Sequence, residues 1–194
     1  MENPFAVLSL VARVLEEQRI AYVLVGSLAS SMHGMFRSTA DIDIVAEIKS
    51  EQVIPLLTAL QENFYVDEHA VREAINRRQS FNAIHFDSVF KVDIFIPKLD
   101  EFSRKQIERG ERRKLAPDVE QMIYVATAED TILAKLRWYN SGGRVSNTQW
   151  RDVVGIIAAS SAKLDLVYLR QWAETLGLTD LLDQVFEEAR DESR

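Results

Sequence analysis

A chain of 194 residues, 47% hydrophobic and 27% charged, is long enough to bury one substantial core and too apolar to stay disordered. Its 23 basic and 30 acidic side chains leave a net charge of −7, which excludes a protein that holds duplex nucleic acid by its bulk field and leaves only a local basic patch for that purpose. With no cysteine, disulfides, thiolate zinc sites and a cysteine nucleophile are excluded, and any metal must sit on oxygen or imidazole ligands.

In chain order, the first predicted element is a helix from Pro4 to about Gln18, with Asn3 as N-cap and Leu8, Val11, Val14 and Leu15 on one stripe. Ile20 to Val25 is a short apolar run that ends at Gly26-Ser27 and reads as a buried strand; a brief helix follows from Ser27 to Met32. Asp41 to Ile48 alternates charged and aliphatic residues, the pattern of a strand with one buried and one acidic face. Ser50 is the expected cap of a helix carrying Val53, Leu56, Leu57 and Leu60, with Pro55 tolerable only in its first turn or two. Another helix is predicted over residues 68–78, and Phe81 to Ile96 reads as two strands joined near Asp87-Ser88. The charged stretch 104–114, with six basic residues against two acidic, is expected to be a solvated loop, and Met122 to Ala126 a further strand. Beyond Thr127 the pattern is helical over 128–140, 149–160, 165–176 and 179–191.

The expected fold class is therefore α/β: a mixed sheet flanked by helices over residues 1–127, followed by a helical region, 128–194, packed on that core. No apolar run approaches the ~18 residues of a membrane span. Glu2 and Pro4 stand where a secretory signal needs a basic stub and an apolar core, so a cytoplasmic chain with no membrane partner is expected.

Three features converge on one chemistry. Gly26-Ser27 closes a strand, Asp41 and Asp43 lie two residues apart on the next strand, and Asp93 sits in the apolar strand KVDIFI. Period-two geometry puts Asp41 and Asp43 on one side of the sheet, with Ile42 and Ile44 on the other. Like charges so close repel, and the simplest remedy is a divalent metal on oxygen ligands, Mg²⁺ or Mn²⁺, which also takes substrate phosphates. Where a strand turns into a helix, a glycine lets backbone approach a phosphate, and the Ser27 hydroxyl, exposed N–H groups and helix dipole favour an anion. Arg37, Ser38 and Thr39 could add a positive charge and two hydroxyls to the same phosphates.

The string VGSLASSMHGMFRSTADIDIV resembles the signature of the DNA polymerase β-like nucleotidyltransferase superfamily: Gly-Ser after an apolar residue, a spacer, then Asp-x-Asp among aliphatics. Thirteen residues separate Ser27 from Asp41, toward the long end of that family's spacing. Lys91-Val92-Asp93 is similar to the Lys-x-Asp motif of the AbiEii-type branch, and TAEDTILAKLRW with TQWRDVVGI is similar to its downstream motif, which puts Lys135 and Asp152 on the positions of its Lys and Asp. The resemblance covers residues 20–155 and implies transfer of a nucleoside monophosphate from an NTP to an acceptor hydroxyl. It implies that Asp41, Asp43 and Asp93 hold the metals, that Asp93 accepts the proton, that Ser27 holds the terminal phosphates, and that Lys135 holds phosphate or base, with Lys91 and Asp152 among the nucleotide-binding residues. It further implies an acceptor such as a tRNA end and a cognate antitoxin protein, as for type IV toxins.

Blander readings stand beside these. Arg37 is otherwise a loop arginine, Lys135 a lysine snorkelling past Ile132 and Tyr139, and Asp152 a partner for a nearby base or for Lys135. His33 and His85 are expected to be structural or surface residues, and Trp138, Tyr139, Trp150 and Trp172, at helical spacing among Leu, Val and Ile, to be core. Transfer to a small hydroxylated molecule or a protein side chain is the alternative within the same chemistry; a non-catalytic nucleotide-binding module is the alternative outside it.

Overall fold

The computed structural model describes residues 4–34, 41–88, 90–115 and 121–192. Asn3, Arg37, Ser38 and Thr39 lie outside the described residues. The chain divides into two compact units. One, the sheet unit, holds the chain up to Val25 and the elements from Asp41 to Ala126; the other, the helical unit, holds the short helix that starts at Gly26 and everything from Thr127 onward.

In the sheet unit, α1 (Pro4–Glu17) leads through a tight turn at Arg19 (φ 54°) into β1 (Tyr22–Val25). Strand β2 (Asp41–Ala46) is followed by a 3₁₀ turn (Ser50–Gln52), α3 (Val53–Leu60), β3 (Phe64–Tyr65), α4 (Glu68–Arg77), β4 (Ser80–His85), β5 (Lys91–Phe95), α5 (Glu101–Glu108), β6 (Glu111–Lys114) and β7 (Met122–Val125). The seven strands form one mixed sheet in the order β3-β4-β5-β2-β1-β7-β6. β1 is antiparallel to β2 and parallel to β7, and β2 is parallel to β5. One side chain in two along β2 and β5 is buried: Ile42, Ile44, Val92 and Ile94 are all 0% exposed. Each such burial is worth roughly 1.5–3 kcal/mol and fixes the register, because a one-residue slip would turn the aliphatic row outward.

Two sequence expectations change in this unit, and one strand was not foreseen. Ser50 does not cap α3; it opens a 3₁₀ turn held by the Gln52 side chain, which accepts from Lys49 N at 2.9 Å, and Pro55 then falls in the first turn of α3, where it is tolerated. Phe64–Tyr65 is a strand too short to carry a pattern. The stretch 104–114 is not a solvated loop: Arg104 to Glu108 complete α5, whose charges pair along its surface (Lys105–Glu108 2.8 Å), and residues 111–114 form β6 on β7. Charged residues conceal both elements because α5 buries only Phe102 and Gln106 and β6 is almost wholly exposed.

The helical unit contains α2 (Gly26–Met32), α6 (Ala128–Ser141), α7 (Asn147–Ser160), α8 (Leu166–Leu176) and α9 (Thr179–Glu192). Their ends are chemically marked: Thr127, Ser146 and Asp165 cap α6, α7 and α8 by accepting from the third backbone N–H, and Gly177 closes α8 in the left-handed conformation. Among the described residues no helix is long and apolar enough to cross a membrane.

Candidate active site

In the sheet unit the acidic residues meet because of strand register. Asp43 is the register partner of Asp93 across the parallel β2–β5 pair, and Asp41 is the partner of Lys91. Partners on adjacent strands lie about 4.8 Å apart and point to the same face. That face is the one opposite the buried Ile42, Ile44, Val92 and Ile94, so all three carboxylates share one open side of the sheet. Asp93 is more enclosed than Asp41, with 17% of its side chain exposed against 60%.

Two further side chains complete this face. Lys91, two residues before Asp93 on the same strand, places Nζ 2.8 Å from Asp93 Oδ2 and 3.8 Å from Asp41 Oδ1. The Asp93 hydrogen bond, then the charges of Asp93, Asp41 and Asp43, hold the ammonium above the ordinary lysine pKa range against the opposing effect of burial. Asn82, opposite Asp93 in the β4–β5 hairpin, donates from Nδ2 to Asp93 Oδ1 at 2.6 Å. Sequence reasoning missed Asn82, although the signal was present: a hairpin symmetric about Asp87-Ser88 puts residue 82 across from residue 93.

The donor set suits a hard divalent cation, being all carboxylate on one face of two neighbouring strands. Among the described residues no group of three or more His, Asp or Glu side chains is gathered closely enough to hold a metal ion. The Lys91 ammonium engages Asp93.

In the helical unit, Gly26 has φ 68°, a left-handed conformation that a glycine takes without cost at the abrupt change from strand to helix. Ser27 follows in the first turn of α2, where the Ser30 and Ser31 hydroxyls donate back to the carbonyls of Gly26 and Ser27 at 2.9 and 3.0 Å. Lys135 of α6 does not snorkel: its Nζ donates to Asp152 Oδ2 at 2.8 Å and to Gln149 Oε1 at 3.0 Å, both on α7, with the lysine and aspartate side chains only 6% and 4% exposed. Asp130, fully buried, accepts from the Thr127 hydroxyl at 3.0 Å and from Tyr168 Oη at 2.7 Å, tying the start of α6 to α8.

Two of the three histidines are buried. His33 is 6% exposed; His85, 2% exposed, shares a hydrogen bond with Ser88 Oγ at 2.9 Å and holds the hairpin turn, its ring edge-on to Phe64. The aromatic expectation is corrected: Trp138 is 62% exposed, and Tyr139, Trp150 and Trp172 are only partly buried. They pair on the surface of the helices, Tyr139 with Trp150 at 5.2 Å and Trp172 with Tyr168, while Trp150 Nε1 donates to Glu188 at 2.7 Å. A cleft of about 1080 Å³ in the sheet unit lies at the other end of β1 and β2, reaching Tyr22, Glu47 and Arg112 rather than the carboxylates.

The family described as "Nucleotidyltransferase of unknown function (DUF6036)" matches residues 5–150. No curated protein sequence matches the chain. Among solved structures, an antigenic nucleotidyltransferase-like protein from Paracoccidioides brasiliensis is similar with a TM-score of 0.54 at 17% identity, over 89% of this chain and 90% of that one. The antibiotic-resistance factor ANT(2'')-Ia, in its solution structure, is similar with a TM-score of 0.53 at 11% identity, over 98% of this chain and 96% of that one. Crystals of ANT(2'')-Ia in complex with adenylyl-2''-tobramycin give the same TM-score of 0.53. At these identities the likeness is one of fold.

Proposed function

Because this chain belongs to the DUF6036 family of nucleotidyltransferases, we propose that the acidic face of β2 and β5 is its catalytic centre and that it transfers a nucleoside monophosphate from an NTP to an acceptor hydroxyl. The observation that carries this reading is the in-register placement of Asp43 beside Asp93, with Asp41 two residues before on the same face. The acceptor oxygen forms a bond to the α-phosphorus, the bond from that phosphorus to the β-phosphate oxygen breaks, pyrophosphate leaves, and the hydroxyl proton passes to the Asp93 carboxylate. Asp41, Asp43 and Asp93 would hold Mg²⁺ or Mn²⁺, whose charge would lower the pKa of the hydroxyl and neutralise the leaving group. Asn82 keeps Asp93 oriented through its 2.6 Å hydrogen bond. On the resemblance of the Gly-Ser motif, Gly26 and Ser27 take the terminal phosphates. Arg37 and Ser38 add a charge and a hydroxyl to them. Lys135, oriented by Asp152 and Gln149, holds phosphate or base.

The acceptor we assign first to an RNA hydroxyl, a tRNA end, on the resemblance of Lys91-Val92-Asp93 and TAEDTILAKLRW to AbiEii-type motifs. A cytoplasmic site of action, a toxin role and a cognate antitoxin belong to the same reading. Transfer to a hydroxylated small molecule is the second reading, supported by the nearly full-length fold likeness to ANT(2'')-Ia.

Each α-³²P-labelled NTP is incubated with the protein, Mg²⁺ or Mn²⁺, and total RNA, an aminoglycoside panel or no acceptor. Label appearing in RNA is the expected result; label on an aminoglycoside selects the second reading. Asp43→Asn is expected to lower transfer by about 100- to 1000-fold, with the folded state intact because a repelling carboxylate has been removed. Full activity in Asp43→Asn at ordinary Mg²⁺ overturns the assignment of the centre.

A further inference from the structure

We propose that Lys91 is the resident counter-cation of the acidic face, and that a divalent metal gains Asp93 only by displacing the Lys91 ammonium, so that this lysine sets the affinity for metal alone. The inference rests on the catalytic reading above and adds a competing ligand to it.

Without a cation, Asp43 and Asp93 would face each other across adjacent strands with Asp41 close by, an arrangement that costs stability. Lys91 supplies that cation from the same strand, since period-two spacing puts residues 91 and 93 on one face. Its Nζ reaches two of the three carboxylates, at 2.8 Å from Asp93 and 3.8 Å from Asp41. Both oxygens of Asp93 are thereby engaged, Oδ2 by Lys91 and Oδ1 by Asn82. The two contacts differ in kind. An amide N–H on Oδ1 leaves the carboxylate charged and aimed, whereas an ammonium on Oδ2 competes for the position and the charge that a metal needs. The lysine side chain is 41% exposed, so its flexible stem can return the ammonium to water when a metal arrives. The ion pair thus places one positive charge against Asp93 and Asp41 on the acidic face.

The test is Mn²⁺ binding to the full chain without nucleotide, followed by EPR of free Mn²⁺ and by calorimetry, for the unaltered protein, Lys91→Met, Lys91→Gln and Asp43→Asn. Both Lys91 variants are expected to bind Mn²⁺ about tenfold more tightly than the unaltered protein, the scale of one charge-assisted hydrogen bond, and to gain more in Tm from saturating Mn²⁺. Asp43→Asn is expected to lose most of the binding. Unchanged or weaker Mn²⁺ affinity in both Lys91 variants, with binding still lost in Asp43→Asn, overturns the counter-cation role and leaves the catalytic reading standing. Failure of the unaltered protein and both Lys91 variants to bind Mn²⁺ overturns both.

Discussion

Among the described residues two lysine–aspartate pairs have identical length and opposite character. Lys91–Asp93 on β5 and Lys135–Asp152 between α6 and α7 both close at 2.8 Å, yet the side chains are 41% and 17% exposed in the first and 6% and 4% in the second. Distance alone therefore says little about what a pair does. A partly open pair gains little Coulomb energy and exchanges its partners with solvent and ions. A buried pair has already lost its hydration, so neither member can leave without stranding a charge. The first pair is built to be exchanged, the second to stay. Gln149 reinforces the second by accepting another of the Lys135 protons at 3.0 Å, whereas Asn82 reinforces the first only on its aspartate side.

The contrast breaks most visibly in the helical unit. Asp152→Ala removes the carboxylate that pairs with the buried Lys135 ammonium and is expected to cost about 3–5 kcal/mol in denaturant unfolding; a loss below ~1 kcal/mol would show that the pair is no anchor. A second, smaller loss tests how tightly that unit is packed. Gly34 has φ 105°, and a Cβ there would come within 2.6 Å of the Ala159 Cβ. Gly34→Ala is thus expected to lower stability by about 1–3 kcal/mol, read as a lower Tm. The smallest effect belongs to the exposed pair: Lys91→Met is expected to change metal-free stability by less than about 1 kcal/mol in the same denaturant titration, and a loss as large as that of Asp152→Ala would erase the distinction.

Much of this was legible before any coordinates. The alternation of DIDIVA and KVDIF fixed both strands and their acidic faces, because burial on one side of a sheet leaves a period-two trace. Helices α6 to α9 announced themselves by their helical pattern beyond Thr127, whereas the caps Ser146 and Asp165 were seen only in the fold. The pairing of β2 with β5 was not legible, since parallel strands separated in sequence by two helices and two other strands carry no local mark of their register. Hence the approach of Asp43 to Asp93 came by resemblance, and the engagement of Asp93 by Lys91 and Asn82 came only from the fold. Lys135 and Asp152 were picked out as residues, yet their burial as a pair depends on how α6 and α7 cross. Trp138 misled in the other direction: helical spacing gives a residue's angle round its own helix and leaves open whether anything covers that angle.

Strand β6 carries a consequence for the behaviour of the protein at high concentration. It forms one margin of the sheet, and its four residues, Glu111, Arg112, Arg113 and Lys114, include three cations. The opposite margin, β3, is only two residues long. A second copy's β6 seeking to extend the sheet meets like-charge repulsion at this margin, and any strand finds almost no ladder to join at the other, so edge-to-edge growth is disfavoured at both borders.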